Sequence, residues 1–274
     1  MEICFHMGIR FVMAHTRAHF EPFGSLDGLV KARKVDFLAY TNADSRHLDA
    51  CTFYKGFHVV RDPRDVLVSA YFSHMHSHST RGWEALAAHR ERLRSVPREE
   101  GLFLELEFSK TSFEEFDRWN YRQPNVLEMK MEELSAAPLE GFLRILRFLE
   151  ILDEERHGPL GELSARLNTR MNRLNHKGRR FMPGQIPLFP VPRIRRATIP
   201  AELLRRILDK KSFQRMSGGR KKGEEDVKNH FRKGVHGDWR NHFTPALLDA
   251  FKARYADLVV KLGYERDADW GLQP

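Results

Sequence analysis

The stretch that most constrains this chain is Gly56-Phe57-His58-Val59-Val60-Arg61-Asp62-Pro63-Arg64-Asp65-Val66-Leu67-Val68-Ser69-Ala70-Tyr71-Phe72. Its first five residues are mostly apolar and end in two β-branched positions, which predicts a short buried strand. Arg61-Asp62-Pro63 interrupts that run. Pro63 can open a helix, because a first-turn residue needs no N–H, and Asp62 before it suits an N-cap. Val66, Leu67, Ala70 and Tyr71 follow at helical spacing, so the unit reads as strand, tight turn, helix. Arg61 then leaves the strand at its C-terminal end, and Ser69 stands two turns into the helix on the side of Asp62 and Asp65. A guanidinium beside the free N–H groups and positive dipole end of a helix suits an anion. Ligands of α/β sheets sit outside the C-terminal ends of strands, which points the same way. The alternative is an Arg–Asp pair on the surface of a helix start.

Arg61 to Phe72 resembles the 3′-phosphate-binding motif of sulfotransferases that use 3′-phosphoadenosine 5′-phosphosulfate (PAPS). A second segment, Phe231-Arg232-Lys233-Gly234-Val235-His236-Gly237-Asp238-Trp239-Arg240-Asn241, is similar to that family's C-terminal signature: a basic pair, Gly, two variable residues, then Gly-Asp-Trp and a basic residue. The two stand in the family's order, about 170 residues apart, and the likeness runs from about residue 35 to the end. The resemblance implies one α/β domain over residues 1–274, a parallel sheet flanked by helices in the P-loop-nucleotide-kinase-like sulfotransferase fold. It implies that Arg61 and Ser69 hold the 3′-phosphate of the nucleotide. Arg232, Lys233 and Gly234 form a compact cationic clamp whose glycine lets backbone N–H groups approach phosphate, against the alternative of a plain basic turn. Lys211-Ser212-Phe213-Gln214-Arg215-Met216 resembles the family segment in which the phenylalanine, here Phe213, covers the adenine.

Two places depart from the family. Members usually open with a strand and a Lys-x-Gly-Thr loop around the 5′-phosphosulfate. A strand could begin at Ile3, but Cys4-Phe5-His6-Met7-Gly8-Ile9-Arg10 is shortened, has Met7 where lysine is expected and has no hydroxyl residue. Arg10 is the local cation, either substituting for the lysine or an ordinary surface residue. After the strand candidate Val35–Tyr40, Thr41 matches the threonine of the family's Lys-Thr-His, while Asn42 replaces the histidine that takes the acceptor's proton. An amide is no base, so Asp44 and His47 become the candidates, against a role as cap or exposed polar residue. Met131 stands where family members have a tyrosine near the adenine.

Composition sets wider limits. The 274 residues suffice for one large domain, and 41% hydrophobic with 30% charged residues is ordinary for a globular protein. No apolar run approaches a membrane span, and the first residues lack the pattern of a secretory signal. Two cysteines, Cys4 and Cys51, imply no disulfide framework, so a cytoplasmic location is expected. The net charge of +9 favours anionic ligands.

Elsewhere, Asn125–Lys130 reads as a strand and Leu139–Leu152, Ala201–Asp209 and Thr244–Leu262 as helices, the last closed by Gly263. Residues 101–108 fit strand or helix equally, with Glu105 and Glu107 on a solvated face. In His74-Met75-His76-Ser77-His78 only His74 and His78 could share a helix side, so a solvated helix end is expected rather than a metal site; His74 could line an acceptor pocket. Residues 166–198, rich in proline and arginine, read as a basic loop, and 217–225 as a flexible one.

The function expected is sulfuryl transfer from PAPS to a hydroxyl or amine, with no metal. The first alternative is a catalytically impaired nucleotide-binding homologue. The second is a basic nucleic-acid-binding protein, for which no helix-turn-helix, zinc or RNA-recognition motif is visible.

Overall fold

The computed structural model describes residues 1–41, 44–48, 51, 53–153, 159–178 and 199–271. In chain order they form α1 (Glu2–Met7), β1 (Phe11–Ala14), α2 (Leu26–Arg33), β2 (Phe37–Tyr40), α3 (Ser45–Leu48), β3 (Gly56–Val60) and α4 (Pro63–Phe72). A π-helical turn over Ser73–Ser77 extends α4. Then come α5 (Glu84–Arg94), α6 (Arg98–Phe108), α7 (Lys110–Arg118), β4 (Val126–Lys130), α8 (Met131–Ala136), α9 (Pro138–Phe148) and β5 (Leu152–Asp153). The last are α10 (Pro159–Gly178), β6 (Ile199–Pro200), α11 (Ala201–Lys210), α12 (Phe213–Met216) and α13 (Pro245–Lys261). The class is α/β, as expected. Among the described residues the strands pair two by two, β1 with β2, β3 with β4 and β5 with β6, and the first and last pairs are parallel.

The chain divides into two compact units: Met1–His58, Asn120–Leu127 and Glu133–Asp209 make one, and Val59–Trp119, Glu128–Glu132 and Lys210–Pro274 the other. In the first, β1 and β2 align Phe11 with Phe37 through Ala14 with Tyr40. Ser25 caps α2 by accepting the N–H of Gly28 at 2.9 Å. That helix buries Leu26 and Leu29 against Ala14 and Phe20, and two short turns, Arg17–His19 and Glu21–Phe23, precede it. A second cluster gathers Leu146, Ile199 and Leu204, with Ile3 and Met7 packed against it.

Those last two residues explain a correction. The strand expected from Ile3 is the helix α1, because Ile3 and Met7, four apart, both face the same apolar cluster. Gly8 ends it in the left-handed region, φ 67°. A second correction concerns the basic loop: 166–178 belong to α10, whereas 179–198 lie outside the described residues.

In the second unit, Asp62 caps α4 by accepting the N–H of Arg64 at 3.0 Å, and Pro63 takes the first helical position. Leu67, Val68, Tyr71 and Phe72 are buried. Residues 101–108 are helical, with Leu102 and Leu106 buried one turn apart. Helix α6 runs close to α4: a Cβ on Gly101 would stand 2.7 Å from the Tyr71 ring. Thr244 caps α13, whose Phe251 and Tyr255 meet Phe113 of α7 with ring centroids 5.9 and 4.8 Å apart. Gly263 follows at φ 69°. No helix among the described residues is long and apolar enough to cross a membrane.

Candidate functional site

The site is built where α4 begins. Arg64 points inward and is 2% exposed. Its guanidinium bonds Asp62 (2.9 Å from Nε to Oδ1, 2.7 Å from Nη2 to Oδ2) and donates from Nη1 to Glu265 at 2.6 Å. It lies 4.2 Å from the Trp239 ring and 4.6 Å from that of Trp270. Burial works against its charge, but the two carboxylates outweigh burial and hold it protonated more firmly than in water. Arg64 is thus a structural residue, enclosed by partners and rings.

Asp65 is buried and accepts two backbone N–H groups, from Gly237 at 2.6 Å and from Trp239 at 2.9 Å. These bonds join the helix start to a segment 172 positions further on. Burial pushes the Asp65 carboxyl up, while the Arg61 charge and the two N–H groups pull the other way. The tie that Asp65 makes and the enclosure of Arg64 did not emerge from the sequence alone. The available signal was a pair of charged residues inside the apolar first turn.

The 231–241 segment closes over the same helix. The Arg232 guanidinium lies 4.5 Å from the Phe72 ring and donates to Asp238 at 2.5 Å, with a second bond to Glu225. Lys233 Nζ reaches the other Asp238 oxygen at 2.6 Å. Burial would raise the Asp238 pKa, but bonds from Lys233, Asn241 and Arg232 outweigh it and hold the carboxylate far below its usual range. Asp238 therefore fixes the two cations side by side. Arg220 ties the loop 217–225 down by donating to the carbonyls of Glu224, Phe231 and Arg232 at 3.0, 2.6 and 2.7 Å.

Phe213 and Gly234 meet directly. Gly234 has φ 68°, and a Cβ there would stand 2.5 Å from the Phe213 ring. Gly234→Ala should therefore destabilise the protein by about 1–3 kcal/mol, through backbone strain and displacement of the ring. Denaturant unfolding checks this, and Phe213→Ala in the same chain should relieve the steric part only.

Arg61 follows β3, and Ser69 lies on α4. Among the described residues neither the Arg61 guanidinium nor the Ser69 hydroxyl has a hydrogen-bond or salt-bridge partner. The six residues expected around the nucleotide thus belong to one unit. Phe213 meets Gly234, Arg232 meets the helix that carries Ser69, and the bonds to Asp65 fix the loop that carries all three clamp residues.

The three other candidates belong to the first unit. Arg10 immediately precedes β1, and its backbone N–H donates to Asp36 at 2.7 Å. Asp44 is engaged by Arg46, which donates from Nε at 2.8 Å and from Nη2 at 2.5 Å; that bonding pulls its carboxyl down and makes it a weak base. His47 Nδ1 stands 2.8 Å from the Tyr40 hydroxyl and its Nε2 3.9 Å from Asp44 Oδ2. Thr41 pairs with His15, and Asn42 lies outside the described residues.

Residues 54–182 and 195–263 match the sulfotransferase domain. Mouse "Sulfotransferase 2A6" is 24% identical over 226 residues, covering 78% of this chain and 61% of its own length, so the chain spans about three-fifths of that relative. A solved structure of mouse sulfotransferase SULT7A1 complexed with PAP is similar at 15% identity and a TM-score of 0.42, covering 94% of this chain and 89% of that one. With the two motifs bonded to each other and a family match over more than half its length, the chain belongs to the sulfotransferase family.

Proposed function

We propose that this protein moves a sulfuryl group from PAPS to a hydroxyl or amine acceptor and that residues 1–274 act together as one catalytic domain. The observation that carries the reading is the pair of bonds from Gly237 and Trp239 to Asp65, which draw the basic clamp against the helix behind Arg61. Arg61, Ser69, Arg232, Lys233 and the backbone at Gly234 bind the 3′-phosphate, and Phe213 covers the adenine. Charge-assisted hydrogen bonds from fixed donors suit a dianionic phosphate. The acceptor oxygen or nitrogen attacks sulfur in line, the bond from sulfur to the bridging phosphate oxygen breaks, and adenosine 3′,5′-bisphosphate leaves. Negative charge spreads over the sulfuryl oxygens, so positioning and cations dominate the rate.

His47 takes the acceptor's proton at Nε2. In that tautomer Nδ1–H donates to the Tyr40 oxygen, which fixes the ring, and Asp44 Oδ2 stands 3.9 Å from Nε2. Arg10 is the cation assigned to the sulfuryl end. The free thiols Cys4 and Cys51 suit a cytoplasmic setting.

The test is transfer of labelled sulfuryl from PAPS to a panel of hydroxyl and amine acceptors. Labelled product that disappears in Arg61→Ala supports the reading. Nucleotide binding without product from any acceptor would favour the impaired homologue. Membership of the sulfotransferase family does not favour the nucleic-acid reading.

A further inference from the structure

We propose that His74, His89 and Glu105 form a binding site for a single transition-metal ion of the zinc type. The proposal is independent of the nucleotide reading. It reverses the expectation that His74 ends a solvated helix and Glu105 lies on a solvated face. Glu105 is fully buried, His89 is 3% exposed and His74 13%. Three elements bring them together: the π-helical turn for His74, α5 for His89 and α6 for Glu105.

The donor atoms are already close. His74 Nδ1 is 3.0 and 3.1 Å from the two Glu105 oxygens, and His89 Nε2 is 2.9 Å from Oε2. One donor atom from each residue lies within 4.8 Å of the other two. Ligands at about 2 Å from a tetrahedral ion stand about 3.3 Å apart, so small shifts would seat one. Two imidazoles and one carboxylate suit zinc and its neighbours, whereas calcium and magnesium prefer oxygen alone.

Each donor is held by something other than its neighbours in the triad. Ser109 donates to Glu105 Oε1 at 2.7 Å, the kind of outer contact that orients a ligating carboxylate. The His89 ring stacks flat on Phe108, with centroids 4.0 Å apart and planes 3° from parallel. His74 lies edge-on to Trp83 and Phe108. The wide turn that presents it is real π geometry, with His78 N–H donating to Ser73 O at 2.7 Å. Arg90, next to His89 in sequence, donates to the carbonyls of His74 and His78, both at 2.5 Å, and pins that turn onto α5. Widened turns of this kind recur at functional sites. The set has three protein donors and a partly exposed histidine, which leaves a fourth position for water, the arrangement of an open zinc site.

The experiment uses the full chain without a histidine tag. After chelator treatment it is loaded with Zn²⁺, gel-filtered and assayed for bound metal. Co²⁺ titration then follows the visible absorption of a tetrahedral or five-coordinate site. The expected result is one retained ion per chain, with Glu105→Gln and His89→Ala losing about 10²-fold or more in Co²⁺ affinity. Ser109→Ala, which removes no ligand, should lose about 10–100-fold. His76→Ala and His78→Ala should bind as the parent does. Circular dichroism shows whether each ligand variant folds; if one does not, Ser109→Ala decides alone. No retained ion and no cobalt absorption in the parent would overturn the proposal and leave a buried carboxylate bonded by two imidazoles. Unchanged affinity in Ser109→Ala, or cobalt binding lost only when His76 or His78 is replaced, would overturn it as well.

Discussion

His47→Ala should keep adenosine 3′,5′-bisphosphate affinity within about twofold and lose about 10²–10⁴-fold in turnover, the usual worth of a placed general base. The expectation rests on three contacts. Tyr40 holds Nδ1 at 2.8 Å, the Phe20 ring meets the imidazole edge with centroids 4.9 Å apart, and Asp44 lies 3.9 Å from Nε2. A ring fixed on one nitrogen by a hydroxyl and faced on the other by a carboxylate can accept a proton without turning. Asp44 itself is the poorer base because Arg46 already occupies both of its oxygens, Oδ1 through Nε and Oδ2 through Nη2. Asp44→Asn should therefore cost far less than His47→Ala. Arg10→Ala should lower turnover by about 10²–10³-fold, the effect of losing one preorganised electrostatic donor. Single-turnover rates beside equilibrium titrations separate the two quantities. Turnover unchanged in both His47→Ala and Arg10→Ala would remove the first unit's residues from the mechanism.

Asp65→Ala should destabilise the protein by about 2–5 kcal/mol, read from denaturant unfolding, because it strands two backbone N–H groups at once. A buried donor left without a partner costs about 1–3 kcal/mol, and Trp239, whose N–H is one of the two, is fully buried. The loss is larger than for a surface ion pair, which contributes about 0–1 kcal/mol. Asp65→Asn keeps the shape and one acceptor but turns an NH₂ group toward an N–H, so it should fall between parent and alanine. Where the variant still folds, bisphosphate affinity should drop although Asp65 is a positioning residue, since the clamp is no longer drawn against α4. Arg61→Lys, which leaves that link intact, should change affinity without changing unfolding.

Local chemistry was legible in the sequence; long-range pairing was not. Asp62-Pro63 announced the start of α4, and the spacing of Val66, Leu67, Ala70 and Tyr71 announced its course. Thr244 and Gly263 bounded α13 in the same way. The strand expected from Ile3 went astray because a six-residue apolar stretch fits either period, and only the cluster around Leu146 decides which face it needs. Glu105 misled for a related reason. Alternation with Glu107 suggested a solvated face, yet Glu105 is fully buried with two histidines while Glu107 pairs with Arg254 outside. Partners 16 and 31 positions away leave no trace in local pattern. The same holds for Asp65 and Gly237, 172 positions apart, although each lies in a motif that sequence alone picks out.

The most direct test of the central claim is a calorimetric titration of the parent, Arg61→Ala and Arg232→Ala chains with adenosine 3′,5′-bisphosphate and with adenosine 5′-phosphate. Charged hydrogen bonds contribute about 1.5–3 kcal/mol each. The bisphosphate should therefore bind the parent and weaken by about tenfold or more in each variant, while the monophosphate changes little. Failure of the bisphosphate to bind the parent, or equal losses for both ligands, would contradict a 3′-phosphate site at Arg61 and the clamp.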